Sequence, residues 1–401
     1  METSSTVHPP HVLVLNAGSS SLKFALIDPA TGKRPLSGLG ERLGSPVASI
    51  RLSRDGAAAE TTVGAGGTHS DVVARVLHAA ADSGMELEAV GHRVVHGGEQ
   101  FTESTVIDDE VVAAIERFSK LAPLHNPAAL LGIEAVRRHL PGATQVAVFD
   151  TAFHQTLPPY AYRYAVPTQW YTDYGVRRYG FHGISHRYVS GQAATVLGRP
   201  AEKLALVVAH LGNGCSATAV LSGRSVDTTM GLTPLEGLVM GTRSGDIDAG
   251  VFSYLDRVAG LTSHDVTDLL NGRSGLLGLS DLSNDMRTLI EAADGGHAGA
   301  RLAIAVFVHR LAKAIAGLVV SLGRLDALVF TGGIGENSPI VRAKVIGALG
   351  LLGLRLDADA NTANGRATSG RITTTDSAIA LVIATDEELL IARDAARLIR
   401  P

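Results

Sequence analysis

Three times along this chain an apolar, β-branched run delivers the backbone into a loop of small residues, and that recurrence limits the fold more than any other feature. Residues 12 to 24, Val-Leu-Val-Leu-Asn-Ala-Gly-Ser-Ser-Ser-Leu-Lys-Phe, read as a buried strand, a hydroxyl-rich turn and a return strand. Ala17 and Gly18 let a bulky anion approach the backbone, Ser19, Ser20 and Ser21 add hydroxyl donors, and Lys23 returns a positive charge toward the turn. Alone, the stretch is equally a plain hairpin with a polar tip. Residues 204 to 216, Leu-Ala-Leu-Val-Val-Ala-His-Leu-Gly-Asn-Gly-Cys-Ser, repeat the device ahead of the strand-like Ala217 to Leu221, and Ala327 to Asn337 brings a third strand to a glycine loop. Three such junctions imply one polyphosphate site gripped from more than one side. The matching starts of the two halves imply a duplicated βαβ-containing unit, with the ligand in a cleft between the copies.

Size and charge narrow the class. The 401 residues exceed one ordinary core and predict two or three domains. Aromatics are 4% while glycines number 45, so aliphatic and small residues must do the packing in a turn-rich α/β enzyme. With 35 basic and 39 acidic residues and no long block of either sign, a nucleic-acid surface or a polybasic membrane patch is disfavoured, and anion binding must be local. A single cysteine, Cys215, excludes an intrachain disulfide and fits a reducing cytoplasm; it reads as a small filler beside a glycine loop rather than a nucleophile. Met1 to Pro10 reads as a disordered leader without signal-peptide character, and the most apolar helical window, Leu302 to Leu322, is interrupted by His309, Arg310 and Lys313, as in a core helix with one wet face.

Between the junctions lie the residues with chemistry. Residues 28 to 68 read as an antiparallel sheet extension, Asp71 to Ala81 as a helix capped by Ser70, and Ala89 to Gly98 as a strand ending in Gly-His-Arg-Val-Val-His-Gly-Gly. Arg93 there suits a bidentate clamp on carboxylate or phosphate, or a surface salt bridge; the spacing of His92 and His96 on a strand disfavours a shared zinc. Helices are predicted over Asp108 to Ser119 and from Ala128. The strand Gln145 to Asp150 ends on an acid, where an α/β sheet often places a metal or catalytic group, although a turn cap would look the same. Residues 158 to 180 form a crossing segment. His182 precedes a helix over Arg187 to Leu197 and is either an anion donor or a satisfied buried imidazole. Met230 to Gly250 is a glycine-punctuated loop carrying Arg243, the best placed cation for a transition state. The last strand, Ala378 to Ala384, leads into an acidic stretch and a closing helix.

No Walker-type Gly-x-x-x-x-Gly-Lys-Ser/Thr run, Gly-x-Gly-x-x-Gly fingerprint after a strand, or Gly-x-Ser-x-Gly elbow occurs, which leaves a hairpin-loop phosphate binder. Asn16-Ala-Gly-Ser-Ser-Ser-Leu-Lys-Phe24 and Gly91-His-Arg-Val-Val-His-Gly-Gly98 resemble the two signatures of the acetate kinase family. Asp150-Thr-Ala-Phe-His154, Tyr179-Gly-Phe-His-Gly183, His210-Leu-Gly-Asn-Gly214, Gly241 to Asp248, Gly332 to Asn337 and Glu387 follow in that family's order, so the resemblance spans nearly the whole chain.

The resemblance implies an α/β, duplicated ribonuclease-H-like fold, shared with sugar kinases, Hsp70 and actin, with two lobes around a nucleotide cleft. Its domains would be 1–150 plus 386–401 and 151–385. It implies reversible, magnesium-dependent transfer of the ATP γ-phosphoryl group to acetate, with manganese an acceptable substitute, in a cytoplasmic homodimer. By resemblance Arg93, Asp150, His182, Asn213 and Arg243 are catalytic, and Asn16 and Glu387 bind the metal directly or through water. On chemical grounds Asp150 would position metal and water rather than remove a proton. Val95, Leu124, Phe181 and Pro234 would form a small pocket for the acyl methyl group. Ser19, Ser20, Ser21 and Lys23 would meet phosphates, while His210, Leu211, Gly212, Asn213, Gly214, Asp285, Met286, Arg287, Gly333, Ile334, Gly335, Glu336 and Asn337 would hold the nucleotide. Ile184, Cys215, Ala249 and Asp386 depart from the family pattern without removing a charged or ligating group. A propionate or butyrate kinase, or a non-catalytic nucleotide clamp, are the alternatives. The clamp should lack carboxylate-binding arginines and carry a peptide or filament segment, and neither condition is met.

Overall fold

The computed structural model describes residues 11–400, so the leader read at Met1 to Pro10 lies outside them. The chain forms two compact units, Met1–Ala152 with Asp386–Pro401, and Phe153–Thr385.

In the first unit, β1 (His11–Gly18) carries side chains buried on both faces from Val12 to Leu15, as a central strand must. It pairs antiparallel with β2 (Ser21–Ile27), and the hairpin turn between them is only Ser19 and Ser20. β3 (Leu36–Glu41), β4 (Ser49–Arg54) and β5 (Ala57–Thr62) continue the sheet antiparallel, the last hairpin closing through Asp55 and Gly56 at φ of 46° and 87°, the conformation that favours an Asp-Gly pair. On the other side β6 (Leu87–Val94) and β8 (Gln145–Phe149) run parallel to β1, and the two-residue β7 (Thr105–Val106) edges the sheet, giving the order β5-β4-β3-β2-β1-β6-β8-β7. Alternation along β6 sends neighbours to opposite helices. A side chain at Gly91 would meet Ile391 Cγ2 at 2.6 Å, on the closing helix Glu387–Ile399, whereas His92 lies toward Gly132 of the helix Asn126–His139. Arg93 shares the face of Gly91, toward the closing helix.

The second unit repeats the plan. β9 (Ala205–Leu211) and β10 (Cys215–Leu221) form a hairpin about Gly212 to Gly214, β11 (Arg224–Thr228) adds antiparallel, and β12 (Ala327–Thr331) and β13 (Ile379–Val382) run parallel to β9, in the order β11-β10-β9-β12-β13. The order β3-β2-β1-β6-β8 in the first unit has the same directions strand for strand. This is the duplicated ribonuclease-H-like plan. Val189 and Ala193 of the helix Gly183–Leu197 pack with Leu206, Val208 and Val329. The helix Ala298–Leu322 is long and apolar enough to cross a membrane by length and composition; here Ala303, Phe307, Leu311 and Ile315 are buried and the helix packs against β9, β10 and β11.

Several boundaries differ from the sequence reading. The helix read from Asp71 runs His69–Asp82, and its cap is Thr68 rather than Ser70, because Thr68 and Asp71 close a reciprocal capping box. The helix expected from Ala128 starts at Asn126, with Pro127 in the first turn, where a missing N–H costs nothing. The strand read to Gly98 ends at Val94. The helix read from Arg187 begins at Gly183, and the crossing segment contains two short helices, Pro159–Tyr162 and Thr168–Tyr174. The third junction is a strand feeding a helix, Gly332–Asn337, with no return strand: β12 is parallel to β9, and parallel neighbours are joined by crossovers, not hairpins.

Candidate active site

In the first unit the carboxyl ends of the parallel strands converge on one guanidinium. Arg93, near the end of β6, donates from Nη1 to Asn16 Oδ1 of β1 at 3.3 Å and pairs through Nη2 with Asp150, just beyond β8. Its Nε lies 3.9 Å from Glu387 Oε2, at the first residue of the closing helix, where the helix dipole favours an anion. Burial works against the Arg93 charge, but Asp150 and Glu387 outweigh it and hold the guanidinium above its ordinary pKa. Asp150 is 1% exposed, so its carboxylate and the guanidinium meet away from water. Asn16, Asp150 and Glu387 thus bring two carboxylates and an amide oxygen around the Arg93 guanidinium. Magnesium is held by one or two carboxylates plus substrate phosphates, so this all-oxygen set fits that ion.

The neighbouring residues divide. Ser19 and Ser20 are exposed at the hairpin tip, and a Cβ on Gly18 would strike Ser21 Oγ at 2.8 Å, which explains the glycine. Lys23 forms an ion pair with Glu388 at 2.9 Å, while Arg34 binds Asp386 at 2.5 Å. Buried His92 pairs through Nε2 with Gln145 Oε1 at 2.7 Å, a core interaction.

The second unit holds a different cation. Arg243, in the irregular stretch after β11, donates to the Pro234 carbonyl at 3.2 Å and lies 3.6 Å from Met240 Sδ; among the described residues it has no carboxylate partner. Burial lowers its pKa. A half-buried guanidinium with no counterion is an anion site in waiting. A Cβ on Gly214, in the β9–β10 turn, would lie 3.3 Å from His182 Nε2 and 3.5 Å from Arg243 Nη1, so the two donors flank one point and only glycine leaves it open. His182 itself sits in the left-handed region at φ 55°, a conformation of order 1 kcal/mol above the ordinary wells for a residue with a Cβ. His154 holds that turn. Its Nε2 donates to the Phe181 carbonyl at 2.9 Å, and its Nδ1 accepts from Ser225 at 2.8 Å.

Beside this pair opens a cavity of about 640 Å³ lined by Gly212, Asn213, Asn284, Asp285, Met286, Arg287, Ile290, Glu291, Gly333, Ile334 and Asn337 to Ile340. Two glycine-bearing elements, a helix start and apolar Ile290, Ile334 and Ile340 give it both polar backbone and a greasy floor, the composition a purine nucleotide requires. Asp285 caps the helix Met286–Asp294 by accepting from the Arg287 and Thr288 backbone N–H groups. Leu211 is fully buried, so its backbone alone can face a ligand, and the Glu336 carboxylate turns onto the Gly332 N–H at 2.9 Å and the Thr385 N–H at 3.1 Å, closing its own helix. Cys215 is buried, and burial pushes its thiol up to about 12, leaving no nucleophile at neutral pH.

Of the four residues read as an acyl pocket, Val95 and Phe181 are buried and Pro234 is half-buried, but Leu124 is 74% exposed. The sequence reading passed over Asn284, Ile290, Ser338 and Pro339 in the cavity. It also passed over Arg342, wholly buried, whose guanidinium donates to the carbonyls of Gly335 at 2.8 Å and Glu336 at 2.9 Å and to Asn361 Oδ1 at 2.9 Å, tying down the nucleotide-side helix. The one arginine in the otherwise apolar run Pro339 to Ala343 would have been the cue had burial been readable. It passed over Ser216 and His186 too, although His186 stands four residues after His182, one helical turn away.

The comparisons agree with this geometry. The family model described as the Acetokinase family matches residues 11–393. Acetate kinase of Deinococcus radiodurans is 56% identical over 96% of this chain and 97% of its own length, and acetate kinase of Chromobacterium violaceum 53% identical over 96% and 98%. Among solved structures, Porphyromonas gingivalis acetate kinase superposes with a TM-score of 0.91 at 40% identity, covering 98% of this chain and 100% of its own. A propionate kinase from Francisella tularensis gives 0.92 at 43% identity, covering 97% and 99%. With two ribonuclease-H-like units, a carboxylate-bound arginine in one and an unpaired arginine beside a nucleotide-sized cavity in the other, this chain belongs to the acetokinase family.

Proposed function

We infer that the chain transfers the γ-phosphoryl group of ATP to acetate and back, giving acetyl phosphate and ADP. The observation that carries this reading is Arg243, a half-buried cation with no carboxylate partner among the described residues, beside Gly214 and His182 Nε2. Acetate has a pKa in the ordinary carboxylate range and is ionised at neutral pH, so no base is needed. One acetate oxygen forms a bond to the γ-phosphorus as the bond from that phosphorus to the β,γ-bridging oxygen breaks, and the electron pair leaves on ADP; no proton moves. Such a transfer depends on positioning and on charge stabilisation at the equatorial oxygens. Arg243 and His182 Nε2 supply that charge and hydrogen bond, with Asn213 as a further donor. Arg93 orients the acceptor carboxylate, while Asp150 and Glu387 keep it charged and fixed. Asn16, Glu387 and Asp150 would hold a magnesium ion, which would supply neutralisation of phosphate charge. Ser19 to Ser21 meet the phosphates, and the 640 Å³ cavity takes the nucleoside.

Relatives above 50% identity named acetate kinase favour acetate over propionate. The lone buried Cys215 and an ATP-dependent reaction fit the cytoplasm. Homodimerisation is part of the proposal, supported by the exposed aromatics Tyr160, Trp170 and Tyr174 on the two short helices of the second unit. The test is acyl phosphate formation from ATP and magnesium, trapped as the hydroxamate, with acetate, propionate and butyrate side by side and Arg243→Ala as control. Acetate-led activity lost in the variant is expected. Folded protein that binds ATP but phosphorylates none of the acids would overturn the reading.

A further inference from the structure

We propose that His186 is a positioning residue that, through the Ser216 hydroxyl, fixes the tautomer of His182 with its hydrogen on Nε2, the nitrogen that faces Gly214 and Arg243. The proposal rests on the reading of His182 as a phosphoryl contact. It extends that reading to two residues that touch no substrate.

Ser216 is fully buried on β10, directly opposite His210 on β9 in the antiparallel register. Its Oγ lies 2.9 Å from His182 Nδ1 and 2.8 Å from His186 Nε2, so one hydroxyl, with one hydrogen, bridges two imidazoles. His186 is fully buried, and burial, together with His154 and His210 nearby, holds it neutral. It therefore carries a single N–H. Its Nδ1 is buried without a hydrogen-bond partner. A buried orphan donor is costlier and rarer than an under-used acceptor, so the hydrogen sits on Nε2 and is donated to Ser216. Ser216, having accepted, turns its own hydrogen to His182 Nδ1. His182 Nδ1 is then an acceptor, and its hydrogen must be on Nε2.

The ring plane is fixed as well. His210 stacks on His182 with centroids 4.3 Å apart, and is itself held by Ser185 Oγ at 2.8 Å from its Nδ1; that hydroxyl also meets Thr385 Oγ1 at 2.8 Å. The reverse tautomer would present a bare lone pair toward the point flanked by Arg243 Nη1, which repels a phosphoryl oxygen. The relay turns an ambivalent imidazole into a committed donor without giving it a charge.

The measurement is long-range proton–nitrogen NMR on full-length protein labelled with 15N-histidine, with His182 assigned by loss of its signals in His182→Gln. The wild type should show His182 with protonated Nε2 and bare Nδ1. Ser216→Ala should shift that population toward the Nδ1–H form and lower kcat by about tenfold to a hundredfold, the usual cost of losing an orienting partner, with KM for ATP and acetate changed by less than about twofold. His186→Gln keeps an amide N–H where Nε2 stood and should retain most of kcat, whereas His186→Leu should not. A merely structural role would lower both variants alike, because both lose the ring contact with His154. A wild-type His182 protonated on Nδ1, or equal loss in the Gln and Leu variants, would overturn the relay. If the tautomer shifts in Ser216→Ala while kcat stays unchanged, the relay stands and the reading of His182 as a phosphoryl contact is what falls.

Discussion

Lowering the pH from 7 to 5.5 should strip a large part of the stability of this fold, because its buried histidines cannot take up the protons that the unfolded chain would. Burial, opposed by the hydrogen bond that His92 donates to Gln145 Oε1, lowers His92 to about 4; burial alone lowers His96 to about 3. Burial also lowers His154 to about 4 despite the Phe181 carbonyl, and the unfolded reference for all three is 6.5. All three are at most 2% exposed, so solvent gives no discount. At pH 5.5 each unfolded imidazole is about nine-tenths protonated while its folded counterpart is neutral, so the unfolded state binds more protons and stability falls with falling pH. Each site loses roughly 1.2 kcal/mol between pH 7 and 5.5, or about 3–4 kcal/mol together, against total stabilities of about 5–15 kcal/mol. His186, lowered well below its usual value, adds with the same sign. Carboxylates barely protonate in that window, so it isolates the imidazoles. Urea unfolding followed by far-ultraviolet circular dichroism at about pH 7, 6.2 and 5.5 gives the slope directly. His154→Gln should remove about a third of the loss whatever it does to stability at pH 7. A loss below about 1 kcal/mol, or an unchanged slope in the variant, would refute the reasoning.

The two arginines should part company in stability as well as in activity. Arg243→Ala should lower kcat by about a hundredfold to a thousandfold while leaving the melting temperature unchanged or higher, since it removes a buried charge without a counterion. Arg93→Ala should abolish turnover and also cost about 3–5 kcal/mol in denaturant unfolding, because it strands Asp150 at 1% exposure. Gly180→Ala, at φ 77° and with a Cβ only 2.7 Å from His154 Cγ and Thr228 Cγ2, should unfold at visibly lower urea and lose the His182 turn. Arg342→Met, which deletes the ties to the Gly335 and Glu336 carbonyls, should weaken ATP binding by isothermal titration more than it changes the KM for acetate.

What was legible in the sequence was whatever the local pattern encodes. Alternating and β-branched runs gave β1, β9 and β12, Asp-Gly marked the β4–β5 hairpin, and the Asn-Ala-Gly-Ser-Ser-Ser run placed the β1–β2 turn, because each is a backbone preference of a few consecutive residues. The errors sit where a local cue competes with a longer-range one. Ser70 is as good a cap as Thr68 by composition, and only the reach of Asp71 back to the Thr68 N–H decides. The third junction read as a glycine loop because Gly332, Gly333 and Gly335 are poor helix formers, whereas the chain forms the short helix Gly332–Asn337 as it leaves β12 on the crossover to its parallel neighbour β13.

The chemistry of the site was legible by residue type and illegible by partner. Arg93 and Arg243 are indistinguishable as letters: each is an arginine with glycines within four residues on either side. The fold makes them opposites. Arg93 is placed on the closing-helix face of β6 by the period of the strand, where Asp150 and Glu387 reach it from 57 and 294 positions further along the chain. Arg243 lies in an irregular stretch where the groups around it are a carbonyl, a thioether and a glycine. A cation already balanced by two carboxylates is fixed and pre-oriented, suited to steering an incoming carboxylate; a cation left unbalanced in a half-buried place gains most when the charge of a transferring phosphoryl group arrives beside it. If the division of labour is right, raising ionic strength should weaken the contribution of exposed Lys23, 60% accessible at its side chain, far more than that of Arg243, and the kcat of the wild type should hold across salt concentrations that abolish any effect of Lys23→Ala.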